Sequence, residues 1–123
     1  MKILIVDDSR FHQNFVVKIL NKYLPEGELL LANNGMEGFE MFEKERPAFV
    51  LTDLLMPERN GQDLLRLIKA CDSNASVIVV SADIQKSTRE EVKQLGALAF
   101  FNKPLTNETA SELIALIKET SHA

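Results

Sequence analysis

Lys2-Ile3-Leu4-Ile5-Val6-Asp7-Asp8-Ser9 shows the pattern on which the whole chain is built: a short apolar run, an abrupt polar stop, then an amphipathic stretch. The run is too short for a helix and rich in β-branched residues, which suits a strand buried on both faces. After it, Phe11, Phe15, Ile19 and Tyr23 recur at spacings of four, with Val16 and Leu20 beside them. One apolar helix face is therefore expected, capped by Ser9 and stopped near Pro25.

The same cycle then repeats. Glu28 to Ala32 reads as a second strand, and Asn33-Asn34-Gly35 turns into a helix with Phe39 and Phe42 that ends before Pro47. Phe49-Val50-Leu51-Thr52 is a third strand running into Asp53, followed by a loop with Pro57 and the turn signal Asn60-Gly61. A helix carrying Leu64, Leu65 and Ile68 leads to the strand Val77-Ile78-Val79-Val80. The next helix is expected to open on the capping box Ser87-x-x-Glu90 and to end at Gly96. A short strand, Ala99-Phe100-Phe101, reaches Lys103-Pro104, and a last helix carries Leu113, Ile114 and Ile117. Repeated strand–helix units of this kind imply an α/β, doubly wound parallel sheet with helices on both faces.

The chain has 123 residues and a formal charge of −4, from 14 Lys+Arg against 18 Asp+Glu. That length fits one domain spanning residues 1–123. Hydrophobic residues at 46% and charged residues at 26% place it among ordinary globular chains. The acidic balance argues against binding nucleic acid, since few phosphates could be neutralised. The single cysteine, Cys71, excludes an internal disulfide framework and fits a reducing, cytoplasmic compartment. No apolar run approaches the ~20 residues of a membrane span, and no secretory leader is expected. No G-x-G-x-x-G follows the first strand, and Gly35-Met36-Glu37-Gly38 in its acidic setting reads as a helix start. The lone histidines His12 and His122 offer no zinc spacing and are expected to be solvated.

In an open α/β sheet, sites form beyond the carboxyl ends of the strands. Strand one ends in Asp7-Asp8, strand three in Asp53, strand four in Ser81 and strand five in Lys103. Carboxylates from separate strands, with a hydroxyl and an ammonium, thus converge on one edge. Adjacent carboxylates repel unless a cation is present, and hard oxygen ligands suit Mg²⁺ better than Zn²⁺.

Asp7-Asp8, Thr52-Asp53-Leu54-Leu55-Met56-Pro57, Ser81-Ala82 and Lys103-Pro104 resemble, in order and spacing, the motifs of the response-regulator receiver domain of two-component signalling. The resemblance runs from Lys2 to Lys118 and implies a five-stranded (βα)5, flavodoxin-like sheet of strand order 2-1-3-4-5. It implies that Asp53 accepts a phosphoryl group from a histidine kinase or a histidine phosphotransfer protein, with Mg²⁺ as cofactor. Asp8 would hold the ion directly, Asp7 mostly through water, with Asp53 and the backbone carbonyl of Leu55 as further ligands. Lys103 would contact the phosphoryl oxygens, or Asp53 beforehand, after a Lys-Pro bond that is cis in the family.

Ser81 and Phe100 would form the switch, the ring following the hydroxyl inward and changing the face of the fourth helix, fifth strand and fifth helix. Phe at position 100, where the family also uses Tyr, lacks a hydroxyl to hydrogen-bond when exposed. Phe101 should point to the opposite side and be buried. Leu55 and Asp83 are expected to tune the phosphoryl lifetime, Leu55 by obstructing an attacking water.

The implied function is a phosphorylation-dependent switch that binds a downstream protein and catalyses only its own phosphorylation and dephosphorylation. If Met1 to Ala123 is the whole gene product, with no linker or DNA-binding motif after the last helix, output would come through protein binding. A chemotaxis-type regulator and a phosphorelay shuttle both fit, whereas an excised receiver would act through an effector domain elsewhere. An aspartate-nucleophile phosphatase is the alternative of another class, but it wants Asp-x-Asp where this chain has Asp7-Asp8-Ser9. A flavodoxin-like cofactor-binding module is a third and would retain flavin.

Overall fold

The computed structural model describes residues 1–56 and 60–121. Pro57 and His122 lie outside the described residues. Strands β1 (Lys2–Val6), β2 (Glu28–Ala32), β3 (Phe49–Thr52), β4 (Ser76–Ser81) and β5 (Ala99–Asn102) alternate with helices α1 (Arg10–Tyr23), α2 (Gly35–Glu45), α3 (Gly61–Cys71), α4 (Lys86–Gln94) and α5 (Asn107–Ser121). The strands form one parallel sheet of order β2-β1-β3-β4-β5, as the strand–helix alternation and the family resemblance imply.

Alternation along each strand feeds two cores. Ile3, Ile5, Leu51, Ile78 and Phe101 face α1 and α5 on one side. Leu4, Val6, Val50, Val77 and Val79 face α2, α3 and α4 on the other. Phe101 is buried on the first side while Phe100 packs against the second, as the strand period requires.

Two expectations are corrected. The first concerns α1, which does not bury the Phe11, Phe15, Ile19, Tyr23 stripe. Val16 and Leu20, expected beside that stripe, are buried and Ile19 packs against the same core, but the other buried residues are His12 and Gln13. Phe11 is 85% exposed, and Phe15 and Tyr23 are also exposed. The buried stripe lies one residue, about 100° of helix rotation, from the more apolar one. The first turn faces the polar end of the sheet, so His12 and Gln13 find hydrogen-bond partners inside, and His12 is not solvated. Ser9 caps the helix as expected, accepting from the His12 amide at 3.2 Å.

The second correction is at α4. It starts at Lys86 with no side-chain cap on Gln85, and Ser87 lies inside the helix. The Asp83 carboxylate organises this start instead, accepting from the Gln85 amide at 2.8 Å and the Thr88 hydroxyl at 3.0 Å. The helix does stop at Gly96, whose φ of 103° suits glycine.

Asn60-Gly61 does more than turn the chain. Asn60 caps α3, accepting from the Asp63 amide at 2.9 Å. A Cβ on Gly61 would stand 2.2 Å from the Asp53 carbonyl oxygen and 2.7 Å from the Leu54 Cα. The missing side chain lets the start of α3 press against the backbone at Asp53, which fixes the height of that strand end.

Candidate functional site

The pocket forms where β1, β3 and β5 end together. Val6 pairs with Thr52 in register, so Asp7 and Asp53 leave the sheet side by side. The Asp53 amide donates to the Val6 carbonyl at 3.0 Å, and the Asp7 amide to the Ala32 carbonyl at 3.1 Å. Asp7 and Asp53 are buried and Asp8 is exposed. One carboxylate oxygen from each of the three lies within 4.8 Å of the others.

Lys103 enters from β5. Its amide donates to the Ser81 carbonyl at 2.9 Å, and the Lys103–Pro104 peptide is cis. Its ammonium reaches Asp7 Oδ2 at 2.9 Å and Asp53 Oδ2 at 3.1 Å. Burial pushes the Lys103 ammonium down, but the Asp7 hydrogen bond and the charges of Asp53 and Asp7 outweigh it and hold the pKa above the usual lysine value. For Asp7, burial pushes the carboxyl up. The His12 ring, the Ser9 amide and Lys103 more than reverse that, so the group sits below the ordinary carboxylate range. Asp7 Oδ1 accepts from the Ser9 amide at 2.9 Å, and Oδ2 pairs with His12 Nδ1 at 2.7 Å. Asp53 Oδ1 accepts from the Leu54 amide at 2.7 Å, which leaves Oδ2 on the lysine side.

The other expected residues fall into two groups. Ser81 is fully buried at the end of β4, its hydroxyl accepting from the Asp83 amide at 3.2 Å. Leu55 is 68% exposed beside the pocket. Phe100 is half-buried on the far side of the sheet, lining a groove of about 280 Å³ with Val92, Ala97 and Arg89. The Arg89 guanidinium lies over its ring, 4.8 Å from the centroid. Arg89 also donates to Asn102 Oδ1, and the Asn102 amide donates to the Asp83 carbonyl at 3.1 Å. Both Asp83 oxygens are engaged at the start of α4.

Motif reading missed three residues. His12 and Gln13 sit behind Asp7, where only the correct helix phase would have placed them. Arg89 was hidden because its partners, Phe100 and Asn102, lie on another element. Chemically, the pocket offers oxygen donors to a hard cation, an Asp53 carboxylate oxygen held by Lys103 as a candidate nucleophile, and one ammonium as counter-charge. Behind the carboxylates, among the described residues, a void of about 10 Å³ lies between Asp7, Asp53, His12 and the apolar side chains of β1, β3 and α1.

Comparison with known proteins gives the same outline. The family model described as response regulator receiver domain matches residues 3–118. Sporulation initiation phosphotransferase F of Bacillus subtilis is 38% identical over 84% of this chain and 82% of its own length. Chemotaxis protein CheY of Thermotoga maritima is 38% identical over 84% of this chain and 85% of its own. A protein-glutamate methylesterase/protein-glutamine glutaminase of Pyrococcus horikoshii is 38% identical over 98% of this chain, which spans only 35% of that protein. Among solved structures, a CheY-like response regulator receiver domain protein from Methanospirillum hungatei superposes with a TM-score of 0.86 at 26% identity, covering 97% of this chain and 91% of that one.

Proposed function

The chain belongs to the response regulator receiver domain family, and from that membership we propose that it is a switch whose Asp53 takes a phosphoryl group from a phosphohistidine. The observation that carries this reading is the single ammonium of Lys103 shared between Asp7 and Asp53. It leaves the acidic pocket short of positive charge and poised for a cation and an anion together.

In the transfer, an Asp53 carboxylate oxygen attacks phosphorus in line. A P–O bond forms as the P–N bond to the donor imidazole breaks, and the imidazole leaves and takes up a proton. The reaction needs mainly positioning and charge neutralisation. The strand ends position Asp53, and the Leu54 amide restrains its Oδ1. The clustered, oxygen-only donor set of Asp7, Asp8 and Asp53 fits Mg²⁺. Asp8 and Asp53 would hold it directly with the Leu55 carbonyl, and Asp7 through water. When bound, Mg²⁺ supplies positive charge against the transferring oxygens. Lys103 turns from Asp7 toward the phosphoryl group.

The open rim suits a donor carried on a partner protein, a histidine kinase or phosphotransfer protein. Ser81 would then bond the arriving phosphoryl group, giving up the Asp83 amide, and the loop after β4 would move inward. That loop is tied through Asn102 to Arg89 and Phe100, which carries the change to the α4–β5–α5 face and a downstream protein. Among the described residues no helix is long and apolar enough to cross a membrane, which is consistent with the cytoplasmic placement we propose.

Intact-mass measurement after exposure to a small phosphoramidate tests the assignment. A Mg²⁺-dependent phosphoryl adduct that is lost in Asp53→Asn supports it. An adduct that persists in that variant would place the acceptor elsewhere.

A further inference from the structure

We infer that His12 is a positioning residue for the cation site: it holds the Asp7 carboxylate from the helix side, on the same oxygen that Lys103 reaches. This rests on the Mg²⁺-assisted reading of the pocket. The imidazole is buried on the first turn of α1, with Nδ1 2.7 Å from Asp7 Oδ2. An ionised carboxylate only accepts, so Nδ1 carries the proton of this bond. Nε2 is buried without a hydrogen-bond partner. Among the described residues the ring's one polar contact is with Asp7.

The neighbouring residue strengthens the grip. Gln13 Nε2 donates to the Asp7 carbonyl at 2.9 Å and the Ala32 carbonyl at 2.8 Å. Two adjacent residues of α1 thus hold both the backbone and the side chain of Asp7. Lys103 cannot do this alone, because its ammonium also serves Asp53 at 3.1 Å. Once Asp53 carries a phosphoryl group, three further oxygens compete for that ammonium. His12 is then the side-chain donor that stays with Asp7. Without it the carboxylate would either rotate or retain Lys103, and each outcome weakens the pocket. Partners that orient a directly ligating group are typically worth about 10–100-fold in metal affinity, and because Asp7 acts through water the effect of His12 falls at the low end of that range.

Calorimetric Mg²⁺ titration of the full chain, alongside His12→Asn, His12→Gln and His12→Leu, provides the test. Asparagine puts an amide nitrogen where Nδ1 stands, glutamine puts it one bond farther out, and leucine fills the space without a donor. Mg²⁺ affinity should fall about 10-fold in the Gln and Leu variants and return to within about threefold of wild type in Asn. Phosphoryl uptake by His12→Gln should recover at saturating Mg²⁺, with only the half-saturating concentration raised; a general packing defect would not be cured in that way. The Asn–Gln contrast stands even where Leu fails to fold. Equal affinity in wild type and Gln, or equal loss in Asn and Gln, overturns the role of His12. Absence of Mg²⁺ binding in wild type overturns the cation site itself, and the positioning role with it.

Discussion

The carboxyl edge of the sheet and the α4–β5 side of the molecule are held in opposite ways. At the edge, Asp7 and Asp53 rise from strands buried on both faces, and Lys103, His12, Ser9 and Leu54 restrain their oxygens. On the other side, α4 buries only Val92 of its nine residues, whereas α3 buries Gly61, Leu64, Leu65 and Ile68 of its eleven. One buried valine contributes roughly 1.5–3 kcal/mol, little to hold a helix in place. The contacts that supplement it, Arg89 over Phe100 and Arg89 to Asn102, are polar and exposed to solvent. The proposed chemistry thus lies where side chains are closely restrained, and the proposed movement where a helix is loosely attached.

Lys103→Met strikes this contrast hardest. It leaves Asp7 and Asp53 without their shared cation, and phosphoryl uptake measured by intact mass should fall about 100-fold or more. Uptake within a fewfold of wild type would mean that the lysine pair is not what readies the pocket. Leu55→Asn comes next: replacing the exposed apolar side chain beside the pocket with a polar one should speed phosphate release several-fold in a continuous phosphate assay. Unchanged or slower release would count against a shielding role.

The pocket also predicts a pH signature in metal-free protein. The Asp7 pKa is lowered in the folded state, so its stabilisation is present above the ordinary value of 3.8 and is lost as pH falls through the depressed one. The Lys103 pKa is raised, so its stabilisation is present below 10.5 and is lost as pH climbs through the higher value. Melting temperature should therefore hold across neutral pH and drop at both ends, and Asp7→Asn should flatten the acid limb.

The smallest effect belongs to the other region. Arg89→Ala removes a cation–π contact worth about 0.5–1 kcal/mol at an exposed site. Chemical denaturation should shift by no more than that, with phosphoryl uptake unchanged. Hydrogen exchange across α4 should nonetheless quicken, and a protection pattern identical to wild type would remove Arg89 from the switch.

Much of this architecture is legible in the chain. Strands buried on both faces must be apolar, so Ile3 to Val6 and Val77 to Val80 announce themselves, and the polar residues that end them are conspicuous. Asp7, Asp8, Asp53, Ser81 and Lys103 were readable for that reason. Helix phase was harder. On α1 the stripes through Phe11 and through His12 differ by one residue, and apolarity favours the wrong one. The start of α4 was hidden similarly, since Ser87 and Glu90 have the spacing of a cap while Asp83 supplies the hydrogen bonds. Arg89 could not be read at all, because its stacking on Phe100 depends on how two elements pack.

Hydrogen exchange of the protein with and without the phosphoryl group, at saturating Mg²⁺, tests most directly whether the rigid pocket drives the loosely held face. The account predicts altered protection in α4 and β5, including Arg89 and Phe100, in wild type and none in Asp53→Asn treated identically. An adduct on Asp53 whose changes stop at the pocket residues would contradict it.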